Sequence, residues 1–148
     1  MTLSNTLGLT LDQARDLVAA TRTAGRTRDL KPLTVVVLDA GAHVVAVERE
    51  DGSSIKRFEV AYGKAHGALA LGMGSRALMG RAEQQGYFIA AVTSAVGGAL
   101  VPVPGGVLVR DGDGRLLGAL GVSGDTSDND EAAALDAIAS IGLVGQPD

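Results

Sequence analysis

Apolar residues recur along this chain at two spacings, one helical and one extended, and each change of rhythm marks an element. Leu11, Ala14, Leu17, Val18 and Thr21 recur at helical spacing, which predicts an amphipathic helix over 11–25 ending at Gly25. Thr10 and Gln13 stand before it at the spacing of a capping box, each able to satisfy a free N–H. A basic linker, 26–31, leads to Pro32. The run Leu33 to Leu38, rich in Val, predicts a buried strand. Residues 39–42 form a turn and His43 to Glu50 a second strand, so the two make a hairpin. Residues 51–54, Asp-Gly-Ser-Ser, stop that strand and offer helix caps. Phe58, Ala61, Tyr62, Ala65 and Leu69 then predict a helix over 55–71. Residues 72–74, Gly-Met-Gly, break it, and Ser75 caps another helix to about Gly86. Residues 87–95 fit either a short helix or a loop.

The second half repeats the extended rhythm. Residues 97–106 contain Pro102 and Pro104, which predicts an edge strand or a loop over one. Val107 to Arg110, a turn over 111–114, and Arg115 to Ser123 make a second hairpin. Its pattern echoes that of 38–46, two strands about an Asp-led glycine turn, which predicts two hairpins of one antiparallel sheet. Asp128 and Glu131 stand at capping-box spacing and open a last helix through Ile141, with Ala132, Leu135, Ile138 and Ala139 inward. The tail, 145–148, is expected to fray. Helix, hairpin, helices, strands and helix together predict an α+β fold with helices packed on an antiparallel sheet, as one domain over 1–148.

Composition narrows the chemistry. Of 148 residues, 46% are hydrophobic but only 3% aromatic, so the core is built from Val, Leu, Ile and Ala. Net charge is −4 with no basic cluster, which argues against nucleic-acid binding. There is no cysteine, so disulfides, thiolate metal sites and cysteine nucleophiles are excluded. No apolar run is long enough to span a bilayer and the first residues carry no signal-type block, which predicts a cytoplasmic protein with no membrane partner.

Several local patterns suggest chemistry only superficially. Gly72 and Gly74 match part of a dinucleotide fingerprint, but a helix precedes them where the motif needs a strand. Ser123 lies between Gly121, Gly124 and Asp125, yet lacks the spacing of a nucleophile elbow. Asp111 and Asp113 lack the later ligands of a calcium loop, so a hairpin turn is the better reading. His43 and His66 are the only imidazoles. Neither has a metal-type neighbour one turn away, which disfavours zinc, but one histidine suffices as an axial haem ligand. Arg49 ends a strand where a cation can meet an acidic ligand, and Lys64 stands seven residues after Arg57 on the same helix face.

Taken together these segments resemble one family. Residues 36–52 look like its first motif, a strand, an Asp-x-Gly turn and a strand ending near Arg49 and Asp51-Gly52. Gly63-Lys-Ala65 matches a helix motif with Lys-Ala, 97–102 a Gly-Gly-x-x-Pro segment, and 118–124 with Asp130 the closing motif. The chain thus resembles the GlcG/HbpS-like, or haem-degrading, family, to which the C-terminal domain of PduO-type proteins is related. The resemblance covers nearly the whole chain, in order. It implies a profilin-like α+β fold, a central antiparallel sheet flanked by helices, and homo-oligomers.

Three functional readings follow from the resemblance. The first is a haem-binding or haem-linked accessory protein, with haem as cofactor, His66 or His43 on the iron, and Lys64 or Arg49 near the propionates. The second is an enzyme of lyase, deaminase or isomerase type on a small carboxylate-bearing metabolite. There Arg49 and Lys64, with Gly97, Gly98 and Ser123, hold the ligand, and Asp39, Asp51 or Asp130 moves protons. The third is a structural or regulatory subunit without chemistry.

Overall fold

The Val-rich run after Pro32 becomes a strand buried on both faces, and the sheet grows from it. The computed structural model describes residues 8–148; residues 1–7, on which the start of the expected domain and the expected lack of a signal-type block fall, lie outside the described residues. The elements are α1 (Leu11–Thr27), β1 (Thr34–Asp39), β2 (Val44–Arg49), α2 (Arg57–Leu71), α3 (Ser75–Gln84), α4 (Gly86–Ala95), β3 (Gly106–Arg110), β4 (Leu116–Ser123), α5 (Ser127–Ser140) and β5 (Val144–Gln146). The strands form one antiparallel sheet in the order β2-β1-β4-β3-β5. This is the profilin-like α+β arrangement expected from the sequence, with helices on both faces of the sheet.

Strand alternation splits the core in two. Val35 and Val37 of β1, with Leu120 and Val122 of β4, pack on one face beneath α1 and α5. Val36 and Leu38, with Leu108 and Ala119, pack on the other face beneath Ala61, Ala65 and Ala68 of α2. Leu78, Ile89 and Leu100 make a third cluster under α3, α4 and the loop before β3. The α1 capping box forms: Gln13 N donates to Thr10 Oγ1 (3.1 Å), and Thr10 N donates to Gln13 Oε1 (3.0 Å).

Helix α2 lies unusually close to the sheet. Gly106 of β3 and Gly121 of β4 are cross-strand partners. A Cβ at 121 would run into the Ala61 carbonyl oxygen, and one at 106 into that of Lys64. Two facing glycines therefore make a trough that admits helix backbone, and α2 fills it with small residues.

Five details differ from the sequence reading. Helix α1 continues past Gly25 to Thr27. Ser75 is the first residue of α3, with Gly74 as its N-cap, and its hydroxyl accepts from Gly106 N at 2.7 Å instead. The segments left open agree with one of their alternatives each: 87–95 lies in helix α4, and 97–105 is loop. The α5 N-cap is Thr126, whose hydroxyl accepts from Asn129 N, because Asp128 and Glu131 are drawn to Arg76. That helix buries Ala133, Ala134, Ala137 and Ile138; Ala139 faces solvent and Ala132 and Leu135 are half-buried. Finally the tail is not frayed. β5 pairs with β3, and Gly74 N and Arg76 N donate to the carbonyls of Asp148 and Pro147.

Candidate functional site

Helix α2 carries most of the chemistry-bearing side chains, on different sides. Ala61, Ala65 and Ala68 face the sheet, while Gly63 and Gly67 are flanked by Val101 and Leu100 of the loop before β3. A 3.6-residue repeat then puts Phe58, Tyr62 and His66 along a further side, across the helix from Lys64. Their rings stack in sequence, with centroids 5.7 Å apart for Phe58 and Tyr62 and 5.2 Å for Tyr62 and His66.

His66 is half-buried, and its Nδ1 lies 2.8 Å from the Ala99 carbonyl oxygen. A carbonyl only accepts, so Nδ1 carries the proton and Nε2 keeps its lone pair. Metal-binding imidazoles are oriented in this way. Gly97 and Gly98 explain how the carbonyl arrives. Both have positive φ (88° and 96°), and the turn they make brings residue 99 over α2. These two glycines shape the loop, and a Cβ at either would meet nothing within 4 Å.

Beside this ladder the sheet is bare. α2 packs over β1, β4 and β3 and stops short of β2. Register puts Val44, Val47 and Arg49 of β2 on the same face as Leu38, Val36 and Thr34. Val44 and Val47 are 50% and 37% exposed, Phe58 36%, and Arg49 is exposed too. An apolar surface with an imidazole on one side and a guanidinium toward one end results.

The inward side of α2 holds a charged pair. Lys64 is 1% exposed, and its Nζ donates to the Val122 carbonyl (2.9 Å) and to Asp130 Oδ2 (3.1 Å). Asp130 is equally buried and accepts from Asp125 N at Oδ1. Burial pushes the Lys64 amine down and the Asp130 carboxyl up, and their mutual attraction only partly opposes this. About two turns earlier, Arg57 Nη1 donates to the fully buried Ser123 hydroxyl at 3.0 Å, and Nε to Ser54 at 3.1 Å.

The structure therefore brings Lys64, Asp130 and Ser123 to one corner and leaves Arg49 outside it on β2. The three carboxylates of the enzyme reading stand apart. Asp39 ends β1, about 16 Å along the strand from Thr34, and ties the hairpin by accepting from Gly41 N, His43 N and His43 Nδ1. His43 itself is an exposed turn residue. Asp51 is exposed in the turn after β2, lining a shallow depression with Arg22, Arg26 and Glu50. Among the described residues no three metal-type ligands cluster, and no helix is long and apolar enough to cross a membrane. Sequence reasoning passed over Arg57, Ser53 and Ser54 as site residues. The seven-residue spacing of Arg57 and Lys64 was the available signal, since both side chains reach the end of β4.

Comparison with known proteins follows this geometry. The chain is similar to PduOC, solved as a haem complex, at 26% identity and TM-score 0.81 over 92% of this chain and 96% of that one. It is similar to HbpS at 26% identity and TM-score 0.77, over 95% and 94%. A double mutant of Streptomyces reticuli HbpS gives 26% identity and TM-score 0.78, over 95% and 91%. No curated protein matches the chain. The model of the family described as haem degrading protein HbpS-like matches residues 9–139, and to that family this chain belongs.

Proposed function

We propose that this protein binds haem on the flank of α2 that carries Phe58, Tyr62 and His66, as a haem-binding or haem-linked accessory protein. The observation that carries the reading is the His66 imidazole, whose Nδ1–H is committed to the Ala99 carbonyl and whose Nε2 is left as a bare donor. The chemistry of the surroundings fits the group. Stacked aromatic rings and the exposed valines of β2 offer an apolar bed for a porphyrin, and Arg49 offers a cation for its carboxylates. Lys64 is turned inward and committed to Asp130, so Arg49 is the better of the two expected cations. His43 is the weaker axial candidate, because it is exposed and its contacts hold a turn. Haem, when bound, supplies a redox-active iron. His66 would ligate it, Ala99 would fix the imidazole plane, and the apolar side chains would exclude water. Membership of the HbpS-like family and the likeness to PduOC in its haem complex support the reading.

Hemin titration followed in the Soret band tests it. Wild type and His43→Ala are expected to give the same shifted band, and His66→Ala to lose or displace it. An unchanged band in His66→Ala overturns the assignment. We also read the protein as cytoplasmic and as a homo-oligomer, readings that rest on its composition and on the family resemblance; light scattering with and without hemin measures the second.

A further inference from the structure

Where α2 begins, a cleft of about 220 Å3 opens between the turn after β2 and the end of β4, lined by Lys31, Gly52, Ser53, Ser54, Arg57 and Gly124. Its charge is unbalanced. Arg22, Arg26, Arg28 and Arg76 each meet a carboxylate. Among the described residues Arg57 and Lys31 meet none, and the partners of Arg57 are two neutral hydroxyls. Those hydroxyls hold the guanidinium by Nε and Nη1, and Nη2 has no hydrogen-bond partner among the described residues. Ser53 is held in turn by Thr34, its Oγ 2.9 Å from Thr34 Oγ1. Asp125, the acid that accepts from Lys31 N, is also engaged by Thr126 N and Asn129. Lys56, the N-cap of α2, makes no side-chain cap, so the first-turn N–H groups add partial positive charge at the same end.

We propose that this cleft binds the carboxylate group of a small organic acid, separately from the haem surface. A guanidinium held by hydroxyls with donors to spare is the fork that a planar carboxylate matches. Two cations, Arg57 and Lys31, set against the one carboxylate of Asp125 leave a surplus of a single positive charge, suited to a monoanion rather than to a doubly charged phosphate. The volume is below the roughly 300–1,000 Å3 of sites for larger ligands, so the acid is short. Arg57 and Phe58 point to different sides of α2, so the two sites share a helix without sharing side chains.

Amide and guanidinium NMR spectra of the full chain, titrated with sodium acetate against sodium chloride of equal ionic strength, test the proposal. Saturable shifts centred on Ser53, Ser54, Arg57 and Gly124 are expected. Arg57→Gln and the milder surface change Lys31→Gln should each weaken them about tenfold, the scale of one lost charge-assisted hydrogen bond. Arg115→Gln, on the exposed turn between β3 and β4, should leave them unchanged. Absence of saturation, undiminished binding in Arg57→Gln, or tighter binding of inorganic phosphate than of acetate overturns the proposal. The hemin response of Arg57→Gln should match wild type, so failure of one site is read separately from failure of the other.

Discussion

Replacing Lys64 with methionine keeps most of the side-chain volume and removes the ammonium from the core. The variant loses two Nζ hydrogen bonds, to Val122 O and Asp130 Oδ2, and strands a carboxyl that is 1% exposed. Breaking a buried pair from one side typically costs about 3–5 kcal/mol, because the remaining charge has no compensation. At about 2.1 cal/mol/K per residue, a chain of 148 residues loses about 3 °C of Tm per kcal/mol, so a fall of about 10–15 °C is expected. The pH dependence carries the mechanism. Burial already raises the Asp130 carboxyl above its ordinary value, and loss of Lys64 raises it further. A group raised on folding gives its full stability below its unfolded value and loses it as pH rises through the folded value. The deficit of Lys64→Met should therefore grow between about pH 4 and pH 7. The double variant Lys64→Met with Asp130→Asn removes the charge but keeps an Oδ1 acceptor for Asp125 N. It should recover more than about 2 kcal/mol of the loss. Urea denaturation of the four proteins at both pH values measures all of this. A deficit under about 1 kcal/mol at pH 7, a flat pH profile, or additive single costs would refute the account.

Other outcomes follow from the geometry. Gly121→Ala sets a methyl against helix backbone that has no side chain to yield, so a loss of about 3 kcal/mol is expected in thermal denaturation. Gly98→Val forces a β-branched residue to positive φ, loosens the Ala99 carbonyl from His66, and should weaken hemin binding about tenfold in a Soret titration. The Asp125 carboxyl is lowered to about 2 by hydrogen bonds from Asn129, Lys31 N and Thr126 N. Its contribution, screened to about 1 kcal/mol by its partial exposure, is present above about pH 4 and lost as pH falls toward 2. The stability difference between wild type and Asp125→Ala should accordingly vanish near pH 2.

What was legible in the sequence divides along physical lines. The run from Leu33 to Leu38 and the hairpin turns were plain, because β-branched residues and Asp-Gly pairs have few other uses. The spacing of Phe58, Ala61, Tyr62, Ala65 and Leu69 already announced the helix that carries His66. The inward face of α5 was misjudged because Ala132, Ala133, Ala134, Ala137 and Ala139 offer no contrast in hydrophobicity; only packing against α1 and β4 selects among them. Lys64 is read from the sequence as a ligand-holding cation and Asp130 as a proton-moving carboxylate. Their mutual cancellation is a tertiary event between residues 66 positions apart, which no local pattern records. The role of Gly97 and Gly98 was hidden for the same reason, since the partner of the turn they shape is an imidazole on another element.

The glycine trough under α2 has a consequence for how this molecule can vary and move. A helix seated on side chains can rock, because rotamers adjust beneath it. Here backbone rests on backbone at Gly106 and Gly121, so tilt and translation are blocked at the point of contact. His66 and Arg57 ride the same rigid rod, nine residues or about 13 Å of helical rise apart. Any change that lifts α2 displaces both together, and two otherwise separate surfaces are thereby bound to a single mechanical tolerance.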